Sequence, residues 1–210
     1  MKTIKQEHIE GEITEKKSKF IANIFYVQSV EEAEEKIKMI KKKYHDARHN
    51  CYAYSISQKS EVITKASDDG EPSKTAGAPI LNVIKSNELT NMVIIVTRYF
   101  GGILLGTGGL VKAYTNVTLE SLKKAEFVDE KYGMELKLKI SYQELEALRY
   151  YCKKNDIKII KIEYTNYIEC ILEVLDEEKK KIIENTENNQ FKVLEYKIIN
   201  EKNIRKNIEN

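Results

Sequence analysis

Residues 97–114 read Thr-Arg-Tyr-Phe-Gly-Gly-Ile-Leu-Leu-Gly-Thr-Gly-Gly-Leu-Val-Lys-Ala-Tyr, with five glycines within nine positions. The segment follows the β-branched run 92–97, which predicts a strand buried on both faces, and precedes residues 110–125, which have helical spacing. Glycine weakens regular elements, so this density predicts unusual backbone angles or the close approach of another group. Seven of the nine glycines and both prolines lie between positions 70 and 109, so irregular backbone is concentrated in this region.

Two familiar phosphate-binding motifs do not fit these glycines. A P-loop needs a lysine after its last glycine, whereas Thr107 follows Gly106, and a dinucleotide fingerprint starting at Gly106 would need a glycine in place of Val111. The junction of strand, loop and helix still offers backbone N–H groups and the positive end of a helix dipole, which favour an anion. Close packing of two backbones is the other interpretation, and the spacing leaves both open. The candidate anion or nucleic-acid site consists of Arg98, Tyr99, Phe100, Gly101, Gly102, Gly106, Gly108, Gly109 and Lys112.

The part of the chain before the glycine segment switches between strand and helix periodicity. A loop at 68–75 contains the turn signal Asp69-Gly70, and Thr75 is placed to cap the helix that follows. The predicted elements are strands at 20–27, 49–57 and 61–66 and helices at 30–44 and 76–85.

The last part of the chain has the regular order β-α-β-β-α-β, which is typical of a ferredoxin-like antiparallel sheet backed by two helices. We therefore place a domain boundary near Asp129, between a domain at 1–128 and a second at 129–210, and predict a two-domain α+β protein. The polar segment 200–210 is expected to fray. The predicted elements are strands at 131–140, 157–164, 167–175 and 191–199 and helices at 142–154 and 177–185.

The charge of the chain is high but balanced. Its 210 residues include 35 basic and 33 acidic side chains, so the net charge is only +2. This balance excludes a protein that coats nucleic acid nonspecifically, and any nucleic-acid contact must be local. The one marked basic stretch, 36–48, is best interpreted as a solvated helix end, where cations are stabilising.

The cysteines and the apolar pattern indicate the compartment. Cys51, Cys152 and Cys170 are odd in number and have no CxxC spacing, which argues against a disulfide framework and a structural zinc site. No apolar signal core opens the chain and no run approaches the length of a membrane-spanning helix. We therefore expect a cytoplasmic protein that has no membrane partner.

Three carboxylates fall within the four residues Asp68-Asp69-Gly70-Glu71. Crowded carboxylates can bind a divalent cation or do acid–base work, but the alternate spacing of an EF-hand loop is absent, and a solvated turn is the favoured interpretation. His45 and His49 have metal-ligand spacing only on one helix, and His49 opens a strand, so no metal site, cofactor or catalytic residue is predicted. The candidate acidic-loop residues are His49, Asp68, Asp69, Gly70, Glu71 and Thr75.

Three ordered blocks of this sequence closely resemble the YigZ/IMPACT family. The chain departs from that pattern at Lys74, where the family commonly has glycine, and at Ala78, which is often basic or larger. The blocks are His49-Asn50-Cys51-Tyr52-Ala53-Tyr54, then Asp68-Asp69-Gly70-Glu71-Pro72 with Thr75-Ala76-Gly77, then Arg98-Tyr99-Phe100-Gly101-Gly102 with Leu105 to Tyr114.

The resemblance covers residues 1–128 as an Impact N-terminal domain, and the tail resembles the C-terminal domain of the bacterial members. It implies a first domain with the ribosomal protein S5 domain 2-like fold, similar to domain IV of elongation factor G, and a tail similar to that factor's domain V. It further implies a cytoplasmic role in translation regulation through contact with RNA, ribosome or a translation-machinery protein. The family's shared residues carry no established catalytic role.

The leading hypothesis is a noncatalytic translation-associated protein, not an enzyme, that binds RNA, ribosome or a translation-factor partner. An N-terminal groove lined by Arg98, Tyr99, Lys112 and the glycine backbone would take an RNA segment or a phosphate or sulfate ion. One alternative is a metal-dependent hydrolase using Asp68, Asp69 and Glu71 with His49 nearby. The other is a pure protein–protein interaction module that docks through exposed tyrosines and the sheet of the tail.

Overall fold

The computed structural model describes residues 1–58, 61–184 and 191–207. Contacts divide the chain into two compact units, Met1–Asp129 and Glu130–Lys206. Within the described residues the units contain two sheets and five α-helices, which confirms the predicted two-domain α+β class. In the same residues no helix is both long enough and apolar enough to cross a membrane.

The first unit is built on an antiparallel five-stranded sheet of order β2-β3-β6-β4-β5. Its elements are β1 (Lys2–Ile4), β2 (His8–Glu15), β3 (Ser18–Tyr26), α1 (Val30–Lys43), β4 (His49–Gln58), β5 (Glu61–Ser67), α2 (Gly77–Ser86), β6 (Met92–Tyr99) and α3 (Gly106–Leu122).

Both faces of this sheet are buried. Helices α2 and α3 cover one face, around a core that includes Phe20, Ile94 and Tyr114, and α1 covers the other through Ala33 and Ile37. A central strand between two helical layers has no solvent face, which is why β6 reads as an unbroken apolar run. Strand β1 is missing from the sequence prediction because three residues are too few to show a period, and β2 is missing because acidic residues and Gly11 interrupt its apolar alternation.

The register of the sheet brings three chain segments to one end. Arg98, near the end of β6, lies between Phe20 at the start of β3 and His49 at the start of β4. This end also receives Gly101, because a Cβ atom on Gly101 would lie 2.0 Å from the backbone carbonyl of Lys17. We call it the glycine end: the Lys16-Lys17 turn, Arg48, the segment 98–109 and the first turns of α3.

Helix α3 begins at Gly106, four residues before the predicted start at 110. Its first turn is exposed and has no apolar side chain, so this turn shows no apolar periodicity by which a helix could be detected. The predicted glycine loop is therefore short, and Gly106, Gly108 and Gly109 belong to the helix.

The expected capping role of Thr75 is wrong. The Thr75 hydroxyl donates instead to the Pro72 carbonyl at 2.6 Å, within the loop. The cap of α2 comes from Asp68, whose Oδ1 accepts the backbone N–H groups of Ala76 at 3.0 Å and Gly77 at 2.9 Å. A carboxylate at a helix start both satisfies orphan donors and complements the helix dipole.

The second unit follows the predicted β-α-β-β-α-β order. In its sheet β7 pairs with β9 and β10, and β9 pairs with β8, while the first residues of β7, 127–129, pair with β1. One face of the sheet packs under α4 and α5 through buried leucines and isoleucines of β7 and β9. The elements are β7 (Phe127–Ile140), a 3₁₀ turn (Tyr142–Glu144), α4 (Leu145–Lys154), β8 (Lys158–Tyr164), β9 (Ile168–Leu175), α5 (Asp176–Glu184) and β10 (Val193–Asn207).

Two expectations for this unit need correction. The predicted helix 142–154 is a 3₁₀ turn followed by α4. The polar segment expected to fray from residue 200 is instead strand β10 as far as Asn207, with Ile204 buried and Lys202 bridging Glu135 and Glu173 at 2.7 Å each. The final part of that prediction, 208–210, and residue 185 of the predicted last helix lie outside the described residues.

Gly101→Ala should destabilise the first unit, whereas Gly108→Ala should not. The new Cβ at position 101 would overlap backbone, which costs about 1–3 kcal/mol or more, because backbone cannot rotate away. At position 108 a Cβ meets nothing within 4 Å, so alanine should stabilise the helix by up to about 1 kcal/mol. Urea unfolding of both variants measures the difference, and equal free energies of unfolding would contradict the close approach at Gly101.

Candidate functional site

The acidic loop between β5 and α2 is held by its own carboxylates. Asp68 caps α2 and also accepts the N–H of Lys74 at 2.7 Å. Asp69 accepts the N–H of Asn50 at 2.7 Å and forms a 2.6 Å ion pair with Lys41 of α1. The Asp69 carbonyl lies 2.9 Å from Nδ1 of His49. These contacts attach the acidic loop to α1 through Lys41 and to β4 through His49 and Asn50.

Glu71 and Arg98 form a buried ion pair. Glu71 Oε1 lies 2.7 Å from Arg98 Nη1, and the two side chains are only 3% and 7% exposed. The hydroxyl of Tyr114 on α3 donates to the same oxygen at 3.0 Å. The guanidinium also lies over the rings of Phe20 and Phe100, at 5.5 and 5.6 Å from their centroids.

Cys51 extends this network to β4. Its thiol donates to the Asp68 carbonyl at 2.9 Å and lies 3.3 Å from the Tyr114 hydroxyl. Burial raises the pKa of the Cys51 thiol to about 12. Burial, with the neighbouring Cys51 and Glu71, also raises the pKa of the Tyr114 phenol far above its usual value, so Tyr114 stays protonated and donates to Glu71.

The predicted anion site is therefore only partly available. Arg98 is already neutralised by Glu71 and buried, so it does not offer a free guanidinium to a ligand. The Gly101 amide donates to Ser18 Oγ at 3.2 Å, and the Tyr99 hydroxyl donates to Asp46 at 2.8 Å. Burial and the Asp46 carboxylate raise the pKa of Tyr99 to about 12. These three residues hold the glycine end together instead of lining an open groove.

The carboxylates of the acidic loop also do not converge. Asp68 is directed to the start of α2, Asp69 to Lys41 and Asn50, and Glu71 to Arg98. Among the described residues no group of three or more His, Cys, Asp or Glu side chains is arranged to hold a metal ion. His49 contacts the backbone of the loop and not a carboxylate. The metal site that the hydrolase alternative requires is not assembled by these residues.

The part of the glycine end that faces solvent lies between Phe100 and Lys112. Phe100 is 57% exposed and Leu104 is 84% exposed, beside the exposed Ile103. Gly102 and Gly106 have φ angles of +82° and +70°, which L side chains rarely adopt. The start of α3 has no side-chain cap and no acidic residue in its first turn, so its N–H groups remain open to an outside acceptor.

Four cations lie on the chain segments that meet at this end of the sheet: Lys16, Lys17, Arg48 and Lys112. All four are exposed, and none makes an ion pair with another described residue. Lys112 follows Gly108 by one helical turn, and the Lys17 backbone touches Gly101. Lys112 is among the site residues predicted from the sequence, whereas Lys16, Lys17 and the placement of Arg48 are not. Only the hairpin that joins β2 to β3 could have indicated the two lysines.

The Lys16-Lys17 turn is strained. It is a two-residue hairpin connection with φ angles of +44° and +67°. Such turns favour Asn-Gly, because a side chain other than Asn, Asp or Gly is costly in the left-handed region. Strained backbone that carries exposed charged side chains is a pointer to function.

Comparison with known proteins bears on all of these residues. The Impact N-terminal domain matches residues 16–122, which include every side chain of the glycine end and the acidic loop. The IMPACT family member YvyE of Bacillus subtilis is 39% identical over 171 residues, covering 81% of this chain and 77% of that protein. This chain belongs to the IMPACT family. The family assignment therefore rests on the match of the Impact N-terminal domain and on a relative that aligns with 81% of this chain.

Other IMPACT family members agree with this assignment. YigZ of Escherichia coli is 34% identical over 154 residues, covering 73% of this chain and 76% of YigZ. A member from Haemophilus influenzae is 35% identical over 158 residues, covering 75% and 77%. The crystal structure of a hypothetical protein aligns over 92% of this chain and 95% of its own, with a TM-score of 0.61 and 28% identity.

Removing one partner of the buried ion pair should be far more damaging than removing both. Arg98→Met leaves the Glu71 carboxylate buried without a cation, and Glu71→Gln leaves the guanidinium unpaired, so each should cost about 3–5 kcal/mol of unfolding free energy. The double variant should be less destabilised than either single variant, because it leaves no buried charge without a partner. Urea unfolding in a double-mutant cycle measures this coupling. Lys123→Met in the exposed Glu120 pair is the control, expected below about 1 kcal/mol.

The three thiols should be unreactive in the folded protein. Burial raises the pKa of Cys51 and Cys152 to about 12 and that of Cys170 to about 11. Because only the thiolate is nucleophilic, a disulfide reagent at pH 8 should label all three only after unfolding. Because all three pKa values lie well above 9, labelling should not increase markedly between pH 7 and pH 9. Rapid labelling of Cys51 in native protein would contradict its place in the network.

Proposed function

We propose that this IMPACT family chain is a noncatalytic, translation-associated regulator that binds RNA through its glycine end. The observation that carries the proposal is the set of unpaired cations around an exposed glycine segment. Lys16, Lys17, Arg48 and Lys112 are exposed, have no ion pair among the described residues, and lie on chain segments that meet at one end of the sheet. Phosphates are the natural partner for cations grouped in this way.

The backbone of the same surface suits a phosphate. The uncapped start of α3 presents N–H groups at the positive end of the helix dipole. A Cβ at Gly108 would meet no other atom of the chain, so packing alone does not require glycine there. Close approach of an external group does require it, because a side chain would stand between that group and the helix backbone.

Phe100 adds a surface for a base. Its ring is 57% exposed on the solvent side while the Arg98 guanidinium lies 5.6 Å from its centroid on the protein side. An exposed aromatic ring beside cations is the arrangement that single-stranded RNA uses for stacking, at about 1–3 kcal/mol per base. We place the ribosome or a translation-machinery RNA as the partner and the cytoplasm as the compartment on the strength of the family.

A protein partner is the second candidate, because the same surface carries an apolar tip. Leu104 is 84% exposed and Ile103 is 42% exposed, between two glycines. Exposed apolar residues within a rim of cations also suit a translation-factor protein with an acidic surface. Pull-down after RNase treatment separates the two candidates, since a direct protein partner would remain bound.

The turn variant Lys16→Asn/Lys17→Gly tests RNA binding without weakening the fold. It replaces a strained turn with the preferred Asn-Gly, so the protein should be at least as stable, while it removes two phosphate contacts. Affinity for a fluorescent single-stranded RNA should fall roughly tenfold, and the slope of log affinity against log salt should drop by about 0.7 per lysine.

The control removes the same charge elsewhere: Lys153→Gln/Lys154→Gln at the exposed end of α4 should leave both affinity and slope unchanged. Cosedimentation with bacterial ribosomes repeats the comparison on the proposed partner. If the turn variant binds as tightly as wild type and with the same salt slope, the glycine end is not the RNA surface.

A further inference from the structure

Strand β10 of the second unit has an unusually open edge. Eight consecutive residues, 194–201, are all exposed, although they belong to a strand. On one side β10 pairs with β7, and no other strand of the described residues pairs along its second edge. An exposed strand of this length presents a row of free N–H and C=O groups, which is a template for another strand.

Both faces of this edge carry apolar side chains. Leu194, Tyr196 and Ile198 alternate on one face and are 44%, 54% and 38% exposed. Ile199, on the opposite face, is 47% exposed. The buried core of the unit takes in Phe191 and Val193 but none of these four residues. The apolar core therefore covers β10 only at its first residue, Val193, and leaves residues 194–201 exposed.

The other sheet edges in the described chain are protected. Strand β8 has an irregularity between Ile159 and Lys161 and carries exposed lysines, both of which disfavour pairing. Strand β2 is covered by Lys124, whose Nζ donates to the Glu10 carbonyl at 2.9 Å, and by Lys43. Strand β5 has seven residues and carries exposed charges at both Glu61 and Lys65. Strand β10 also carries two charges between 194 and 199, but Glu195 and Lys197 have opposite signs and are close together, so they can pair with each other across two copies of the strand.

The sequence of the edge is complementary to itself. In an antiparallel pair of two β10 strands centred on Tyr196, Glu195 of one copy lies opposite Lys197 of the other, and Leu194 lies opposite Ile198. Two-fold symmetry repeats each pair, and the two Tyr196 rings meet at the axis. Opposite charges, apolar pairs and aromatic pairs directly across two strands are each stabilising.

We propose that two copies of this chain associate through antiparallel pairing of their β10 strands, centred on Tyr196. The occupant of the edge is a second copy, because one five-residue stretch, Leu194–Ile198, supplies both members of every cross-strand pair. Glu195 is free to change partner at little cost, since its 3.3 Å contact with Lys139 is on the surface and its side chain is 72% exposed. A single strand pair buries modest area, which implies a weak, reversible dimer.

Sedimentation equilibrium of the full chain tests the proposal. Wild type should show a concentration-dependent monomer–dimer equilibrium between about 1 μM and 1 mM. Lys197→Glu places Glu opposite Glu195 twice, and Glu195→Lys places Lys opposite Lys197 twice, so each variant alone should dimerise at least about tenfold more weakly.

Mixing the two variants provides the decisive readout. A Lys197→Glu copy carries two acids and a Glu195→Lys copy two bases, so the mixture should form a heterodimer with an affinity close to that of wild type. Misfolding of either variant cannot produce that rescue. Lys153→Glu, which makes the same charge change on α4, should dimerise as wild type. Wild type that is monomeric throughout, or two variants that fail to associate when mixed, would overturn the proposal.

Discussion

The buried ion pair between Glu71 and Arg98 is the interaction on which the first unit depends. It joins the acidic loop to the end of β6, and through the Tyr114 hydroxyl it joins both to α3. Two buried charges are costly to desolvate, so the pair is tolerated only with close geometry and further hydrogen bonds. Because Cys51 contacts both Tyr114 and the loop backbone, β4 is held by the same network. The loop is therefore structural, although its composition is that of a ligand site.

The backbone of the acidic loop reflects the same constraint. Asp69, Gly70 and Lys74 all have φ angles in the left-handed region, at +41°, +87° and +62°. The resemblance to the family leads us to expect glycine at position 74, and the left-handed φ of Lys74 is a conformation that glycine adopts more easily. Strain at these residues is offset by the contacts of Asp68, whose two carboxylate oxygens accept three backbone N–H groups. Removing the Asp68 carboxylate would leave the backbone N–H groups of Ala76 and Gly77, at the start of α2, without their acceptor.

Much of the fold could be predicted from periodicity, because a buried strand such as β6 and an amphipathic helix such as α1 leave local signals. The site could not, because its contacts join residues far apart in sequence. Glu71 and Arg98 are 27 positions apart, and only the register of β6 with β3 and β4 brings the cation to the loop. Arg98 was predicted to face a ligand since a strand end beside glycines suggests exposure. The burial of the Arg98 guanidinium against Phe20 and Phe100 results from the packing of the fold, so the residues next to Arg98 in sequence do not predict it.

The five glycines between 101 and 109 have two different physical roles. One role is required by packing within the fold, and the other belongs to the exposed surface. Gly101 is required by the Lys17 backbone, whereas Gly108 has open space around it and weakens an exposed helix turn for no internal gain. The Lys16-Lys17 turn likewise gives up stability, since both lysines adopt a backbone conformation that Asn-Gly would occupy more easily. Two independent departures from local stability thus lie at the same end of one sheet. The anionic partner that we propose for the glycine end would account for both.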